Sequence, residues 1–507
     1  MVYPFDLPIT SHLALQTVLS SRTHPSLPQS ATTARHALRL ALKAHNRLPR
    51  GPQRDSHLTS VLSALNDYLP YVAALAQGFN NGKPIDTTTS ATFPHPEEIE
   101  VTQRAELEPE WRATLAPSSL PRPSTNRTRG SGIQYELAFT LTTLGYVLSS
   151  LARTGVTRTL YAASTPSAEQ RTAAVQTATK HLLQASTIHS FLSSSPYFTA
   201  GSETATVPDL APATQAALSS LALAEATLLT VLKDDSYVMA CIQARNPNDK
   251  DWMVSAPEIP KVRAHLFARL CIRAAEYAEQ AATGLGSVAA EGRKTGVDED
   301  IVKYARVLGL VARARACRFF GVDAELAGKI GEGIAWLRAA KGALGLRSQG
   351  SASTDESTTK SRGFSKLKLG FRERREERKM EKSAGGERVE KGELGPGDNA
   401  GREEEGRVLE MLETKWVRMN DTINTQLIPS SADYVANLPS GRDVFPAQPL
   451  YALPFLDEDH RSRMRAPPTE LELGPGSDIE DSDVESPLAR DTHAPGAFPE
   501  RTDSAYY

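Results

Sequence analysis

Five leucines within one short stretch set the terms for this chain. In residues 132–153, GIQYELAFTLTTLGYVLSSLAR, Leu137, Leu141, Leu144, Leu148 and Leu151 recur at steps of four and three. That spacing puts all five along one face of an α-helix. Ala138, Thr142, Thr143, Gly145 and Ser149 fill the remaining turns. Side chains this small let neighbouring helices approach closely, so the stretch is expected to be a buried helix of a helical array.

Composition agrees. Aromatic residues make up only 6% of the 507 residues, while Ala, Leu and Ser dominate. This favours helices packed through small residues over a β-sandwich or barrel. The length allows one large helical domain plus tails. A net charge of −3 gives no global basic footprint for nucleic acid. No run of about 18 apolar residues exists, so no spanning helix is expected. The N-terminal MVYPFDLPITSHLALQTVL lacks the basic start and long apolar core of a secretory signal, which points to a cytoplasmic protein. Cys241, Cys271 and Cys317 are odd in number and far apart, as expected of reduced core thiols. Asn126-Arg127-Thr128 matches a glycosylation acceptor, a chance match without a signal peptide.

Along the chain, residues 9–22 and 31–48 read as short helices. Residues 55–78 read as a longer one, on Leu58, Val61, Leu62, Leu65, Leu69 and Val72. Residues 79–131 are rich in Thr, Pro, Ser and Asn and read as a long connection, with β-like character at Ile99–Thr102. Five helices are expected after the leucine helix, at 168–194, 211–233, 258–283, 298–320 and 322–346. The second of these shows Leu218, Leu221, Leu228 and Leu232, and the last shows Leu326, Ile330, Ile334, Leu337 and Leu344. Short loops between them imply antiparallel neighbours, as in tetratricopeptide-like solenoids, but with irregular repeats. Residues 347–404 are polar and charged, with too few apolar groups to offset the entropy of ordering, and read as a disordered insertion. Deleting residues 350–400 is therefore expected to leave cooperative unfolding of the body nearly unchanged. Periodicity returns at Leu409, Leu412, Trp416, Met419 and Ile423. Residues 424–456 then read as extended and Pro-rich, and 457–507 as a disordered acidic Pro/Gly-rich tail. The class is all-α, with minor short strands near the N-terminal third.

No catalytic motif stands out. The eleven histidines are scattered without ligand partners at metal spacing, so no metal or other cofactor is expected. Gly328-Lys329-Ile330-Gly331-Glu332-Gly333 has the glycines of a phosphate loop but follows no strand, and reads as glycines at a tight helix crossing.

The order of the segments carries a resemblance. Tyr3-Pro4-Phe5-Asp6-Leu7-Pro8 resembles the opening of BRO domains, the boomerang-shaped helical modules of ESCRT-associated proteins. Pro109-Glu110-Trp111-Arg112 sits where that family carries a tryptophan before its main helix. Tyr135-Glu136-Leu137-Ala138 resembles the start of that helix, with Thr143 in place of the usual Asn. Leu221-Ala222-Leu223-Ala224-Glu225-Ala226 resembles "LAQAQE" without its glutamines, and Ile334-Ala335-Trp336-Leu337-Arg338 resembles "EIARL". Asn420-Asp421-Thr422-Ile423 with Leu427-Ile428-Pro429 resembles the closing motif. The similarity spans residues 1–456, interrupted at 347–404, and within the family it is nearest to the fungal pH-response regulators.

The resemblance implies a non-enzymatic adaptor that binds the C-terminal amphipathic helix of an ESCRT-III subunit. It would act with other components of an alkaline-pH signalling complex leading to proteolytic activation of the PacC transcription factor, recruited peripherally to plasma-membrane or endosomal sites. The family's groove, carried over, would draw on Leu144, Leu218, Leu221 and Leu337. Each is more readily read as core, since periodicity does not separate the two faces of a solenoid. A generic helical scaffold for another amphipathic peptide and an uncharacterised enzyme remain as alternatives. In the insertion, Lys366, Lys368, Arg372, Arg374 and Arg375 interleave with Phe364, Leu367, Leu369 and Phe371, a pattern able to touch an anionic membrane. In the tail, Ser477 and Ser482 precede acidic residues, as sites of acid-directed kinases do.

Overall fold

Small side chains and long apolar stripes produce a sequential stack of helices. The computed structural model describes residues 2–79, 99–116, 127–162, 166–199, 207–243, 261–290, 296–346 and 399–467. The first described layer holds β1 (Ile9–Thr10), α1 (Leu15–Val18), β2 (Leu19–Ser20), α2 (Leu27–Arg47) and α3 (Pro52–Phe79), followed by β3 (Thr102–Gln103), β4 (Glu110–Arg112) and β5 (Arg127–Arg129). The array proper is α4 (Gly132–Leu160), α5 (Ala168–Ser194), the short α6 (Pro196–Thr199), α7 (Pro212–Leu232), α8 (Ser236–Gln243), α9 (Lys261–Ala290), α10 (Glu299–Leu326) and α11 (Ile330–Ala343). After the insertion come α12 (Arg402–Met419), a π-turn at Asn420–Asn424, α13 (Ser431–Ala436) and α14 (Glu458–Met464). Neighbours pack in chain order: α3 on α4, α4 on α5, α5 on α7, α7 on α9, α9 on α10 and α10 on α11. The fold is mainly helical, as its periodicity implied. By composition α7 could cross a membrane, but most of it is buried inside the protein.

The leucine helix is the buried spine. Leu137, Leu141, Leu144 and Leu148 are all interior, and only Leu151 is partly open. At Gly145 an added Cβ would lie 2.5 Å from Nε2 of His189, so the helix crossing there requires glycine. Helix α5 matches its expected bounds because Ser167 and Gln170 form a reciprocal capping box at its start.

Four expectations change. Residues 9–22 form β1, α1 and β2 rather than one helix, because their partners are distant: Ile9 pairs with Arg112 and Leu19 with Gln103. The expected break between 320 and 322 is absent. Helix α10 runs to Leu326, and the turn falls at Gly328, with φ of +78°. Gly321 instead serves close packing, since its Cβ would sit 3.2 Å from the Gly333 carbonyl and 3.3 Å from Trp416. The helix after the insertion starts at Arg402, and Ala400, Glu404 and Glu405 are buried. A neutral deletion must therefore end before Asn399; one reaching 400 removes a buried contact. The body also extends past 456, because Leu453, Leu456 and Met464 are buried and residues to Arg465 belong to the same compact unit.

Two buried charge clusters tie distant segments together. The Glu136 carboxylate accepts from Arg35 Nε at 2.8 Å, Tyr68 Oη at 2.9 Å and Trp111 Nε1 at 2.8 Å. Arg35 also donates to Thr10 Oγ1 and, at 2.8 Å, to the Ser11 carbonyl. One carboxylate thus joins the start of α4 to α2, α3, β1 and β4. In the second cluster Arg318 donates to Glu405 and Asp235, each at 2.5 Å, and Arg315 donates to Glu405 at 3.0 Å. All four side chains are fully buried. Burial opposes ionisation of Glu405, but Arg318 and Arg315 outweigh it and hold the carboxyl below the usual carboxylate range.

Candidate functional site

The four carried-over leucines are not surface residues. Leu144 on α4, Leu218 and Leu221 on α7 and Leu337 on α11 are 0–5% exposed. They line the interior, so as the molecule stands none offers a peptide a surface. The physical reason is that the family-like motifs sit on the strongest apolar positions, which are the ones the array buries. Lys366, Lys368, Arg372, Arg374, Arg375, Ser477 and Ser482 lie outside the described residues.

The solvent side of α7 carries a different stripe. Ala213 and Ala216 are exposed, and Ser219, Ser220, Leu223 and Thr230 are half-buried. At 100° per residue these fall on one arc, opposite Leu218, Leu221, Leu228 and Leu232. Leu223 is the apolar member and is out of phase with the core leucines. On α5, Lys180 and Gln184 are exposed and Leu183 and Thr187 half-buried. Ser186 Oγ meets Ser219 Oγ at 2.9 Å, and His189 Nδ1 meets Gln215 Oε1 at 2.7 Å. Rising numbers on α5 thus meet falling numbers on α7, an antiparallel register that brings Leu183 level with Leu223. Leu183 lines a groove between α5, α7 and the C-terminal segment, and half-buried Leu223 stands level with it on the outward side of α7, among serine, threonine and alanine.

The C-terminal segment bounds this groove. Arg269 Nε donates to the Ser440 carbonyl at 3.2 Å, and the Arg442 amide donates to the Arg269 carbonyl at 3.1 Å. Asp443 accepts from Tyr277 Oη and Arg273 Nε, both at 2.7 Å, and these two donors hold its carboxyl below the ordinary range. Gly441 passes so close to α9 that a Cβ would lie 2.6 Å from the Arg273 amide nitrogen. The strap then crosses α7 and α5. Phe445 and residues 448–452 enclose a cavity of about 580 Å³ against Val175, Thr179 and Leu183 of α5 and Thr230 of α7. Thr179 Oγ1 is buried without a hydrogen-bond partner, and Tyr451 meets Phe191 at 6.0 Å between ring centres. The chemistry is apolar and hydroxylic, suited to holding a peptide rather than to bond-breaking.

Sequence reasoning missed Leu223, Leu183 and the strap. The available signal was phase: Leu223 interrupts a run of Ala and Ser on the side away from the core leucines. The strap had none, because its fixed points are single contacts made by extended chain.

Among the described residues no group of three His, Cys, Asp or Glu is placed to hold a metal ion. Burial pushes the thiols of Cys241 up to about 11 and of Cys271 and Cys317 up to about 12, so they stay protonated and inert. The glycine-rich 328–333 turn packs against the chain at Leu427, where a Cβ on Gly331 would lie 2.3 Å from the carbonyl oxygen. It is a close crossing, as its position outside any strand implied.

One buried carboxyl carries a pH signature. Glu225 of α7 accepts from the Tyr3 amide at 2.8 Å and from Tyr304 Oη at 2.9 Å, pinning the N-terminal arm over the array. Burial pushes its carboxyl up to about 7 despite these donors. The folded chain therefore holds a proton that the unfolded chain, titrating near 4.5, has released. Stability from this group is fully present below about pH 4.5 and declines by about 3 kcal/mol as pH rises to about 7. Glu225→Gln should flatten that part of the curve in chemical denaturation across pH; an unchanged slope would contradict the assignment.

A stack of antiparallel helices crossed by a returning C-terminal strap is the architecture of a helical-array module. A profile of the BRO1-like domain matches residues 93–436, and the chain belongs to that family. Along its full length the chain is 85% identical to the pH-response regulator protein palC of Emericella nidulans, covering 100% of both sequences. Two solved structures share the fold. An ALIX BRO1 CHMP4C complex is 14% identical, with a TM-score of 0.51 over 90% of this chain and 98% of that one. ALIX in complex with a viral PYKEVTEDL late domain is 15% identical, with a TM-score of 0.50 over 90% of this chain and 50% of that one.

Proposed function

We propose that the chain is a non-enzymatic adaptor of alkaline-pH signalling. Its α5–α7 groove receives the C-terminal amphipathic helix of an ESCRT-III subunit, in support of proteolytic activation of the PacC transcription factor. The observation that carries this is a pair of half-buried leucines, Leu183 on α5 and Leu223 on α7, at one level of the antiparallel pair among small polar side chains. An amphipathic helix lays its apolar positions against such leucines, while Ser219, Ser220 and Thr187 serve its polar edge. Likeness to a pH-response regulator supports the pathway, and the BRO1 domain solved with CHMP4C supports the partner class. The protein works in the cytoplasm and is recruited to plasma-membrane or endosomal sites, where the basic stretch at 366–375 adds contact with anionic lipid. Acid-directed phosphorylation at Ser477 and Ser482 alters partner binding rather than folding. The test is capture of the full chain on immobilised C-terminal helices of each ESCRT-III subunit. Selective retention by one subunit is expected. No retention at about 50 µM, a weak limit for a groove of this kind, would leave only a generic scaffold.

A further inference from the structure

Charge is unevenly distributed along this chain. Residues 1–60 carry seven Lys and Arg against two Asp and Glu, although the whole chain is at −3. Helix α2 contains no acidic residue. Arg39, Lys43 and Arg47 follow one another at steps of four along its flank, Arg39 and Lys43 half-buried and Arg47 exposed, beside Leu40, which is 52% exposed. Among the described residues no carboxylate lies within ion-pair distance of these three cations. The nearby acids are engaged elsewhere: Asp6 with Arg50 and Arg54, and Glu110 with Arg127 at 3.6 Å. Arg39 in addition leaves its Nε buried without a partner. The like charges press on one another: Arg39 most, then slight burial, Arg47 and Arg127 lower the Lys43 ammonium below its ordinary value. Like charges held this close on one helix attract an anionic surface.

We propose that this stripe of α2 docks the protein on an anionic membrane leaflet. Shape decides between anionic partners. Helix α2 packs on α3 and the first strands, and its exposed side, with Leu40 and Arg47 flanked by Lys43 and Arg39, is convex rather than grooved. A peptide helix needs a groove, whereas a flat leaflet meets a ridge. Leu40 stands where an aliphatic chain enters the headgroup layer while the flanking cations reach phosphates. The stripe lies outside residues 93–436, which match the BRO1-like profile, and is independent of the α5–α7 groove.

The test is co-sedimentation of the full chain with phosphatidylcholine vesicles, with and without roughly 30% phosphatidylserine. Binding is expected only to the anionic vesicles and should fade between about 0.1 and 0.5 M salt. Arg39→Glu/Lys43→Glu/Arg47→Glu should lower the partition more than about tenfold with helicity retained. Leu40→Ser should weaken vesicle binding several-fold. The triple variant in a chain lacking residues 364–379 separates this site from the basic insertion. The proposal is overturned if the intact chain ignores anionic vesicles or if the triple variant binds them normally. It is also overturned if removing 364–379 alone abolishes binding. Equal capture by single-stranded DNA, insensitive to Leu40→Ser, would overturn it in favour of a general polyanion surface.

Discussion

Glu405→Ala should be among the most damaging single substitutions in this chain, costing about 3–5 kcal/mol. The carboxylate is fully buried and is shared by Arg315 and Arg318. Arg315 already leaves Nη1 and Nη2 without partners, so it has no alternative acceptor. Removing Glu405 strands two cations in the interior with only Asp235 to answer them, and Asp235 reaches Arg318 alone. Because Glu405 opens α12, the loss also frees the helix that carries Trp416 into the Gly321–Gly333 crossing. The expected result is a melting transition lowered by several degrees, with loss of Trp416 burial visible in fluorescence. Glu405→Gln should recover little, since one amide oxygen cannot neutralise two guanidinium groups. A melting curve within about 1 °C of the parent would contradict the account.

Leu337→Asp should be comparably severe. The side chain is 0% exposed on α11, between Ile334 and Ala340, which are equally buried. An ionised carboxylate there has no partner and costs several kcal/mol, enough to unfold or aggregate the body. Leu223→Asp, at a half-buried position of α7, keeps its carboxylate in reach of water and should leave circular dichroism and melting nearly unchanged. This contrast separates interior leucines from groove leucines within one family of motifs.

Helices were legible where one local signal dominated. The Ser167–Gln170 capping box gave α5 its start, and the leucine period marked α4. The readings that changed depend on contacts far apart in sequence. The partners of β1 and β2 lie far along the chain, Ile9 with Arg112 and Leu19 with Gln103, and no local pattern in residues 9–22 announces them. Gly321 falls at the expected break between 320 and 322, but its role is to admit Trp416 and the Gly333 backbone. The start of α12 was hidden by Glu403, Glu404 and Glu405, which look like solvated charge until Arg315 and Arg318 are placed beside them. The groove was missed for a related reason. Family-like motifs follow the strongest apolar positions, and these became core. The proposed binding face rests on weaker ones, such as Leu223, where the sequence is ambiguous about which way a helix face turns.

The most direct test of the adaptor reading is titration of an ESCRT-III C-terminal helix, taken from the subunit that the capture selects, into the parent chain and the folded Leu223→Asp and Leu183→Asp variants. The account predicts saturable binding to the parent and a loss of at least roughly tenfold in each variant, as a charge in a desolvated contact requires, with helicity unchanged. Parent-like affinity in a folded Leu223→Asp variant would contradict the assignment of the α5–α7 groove.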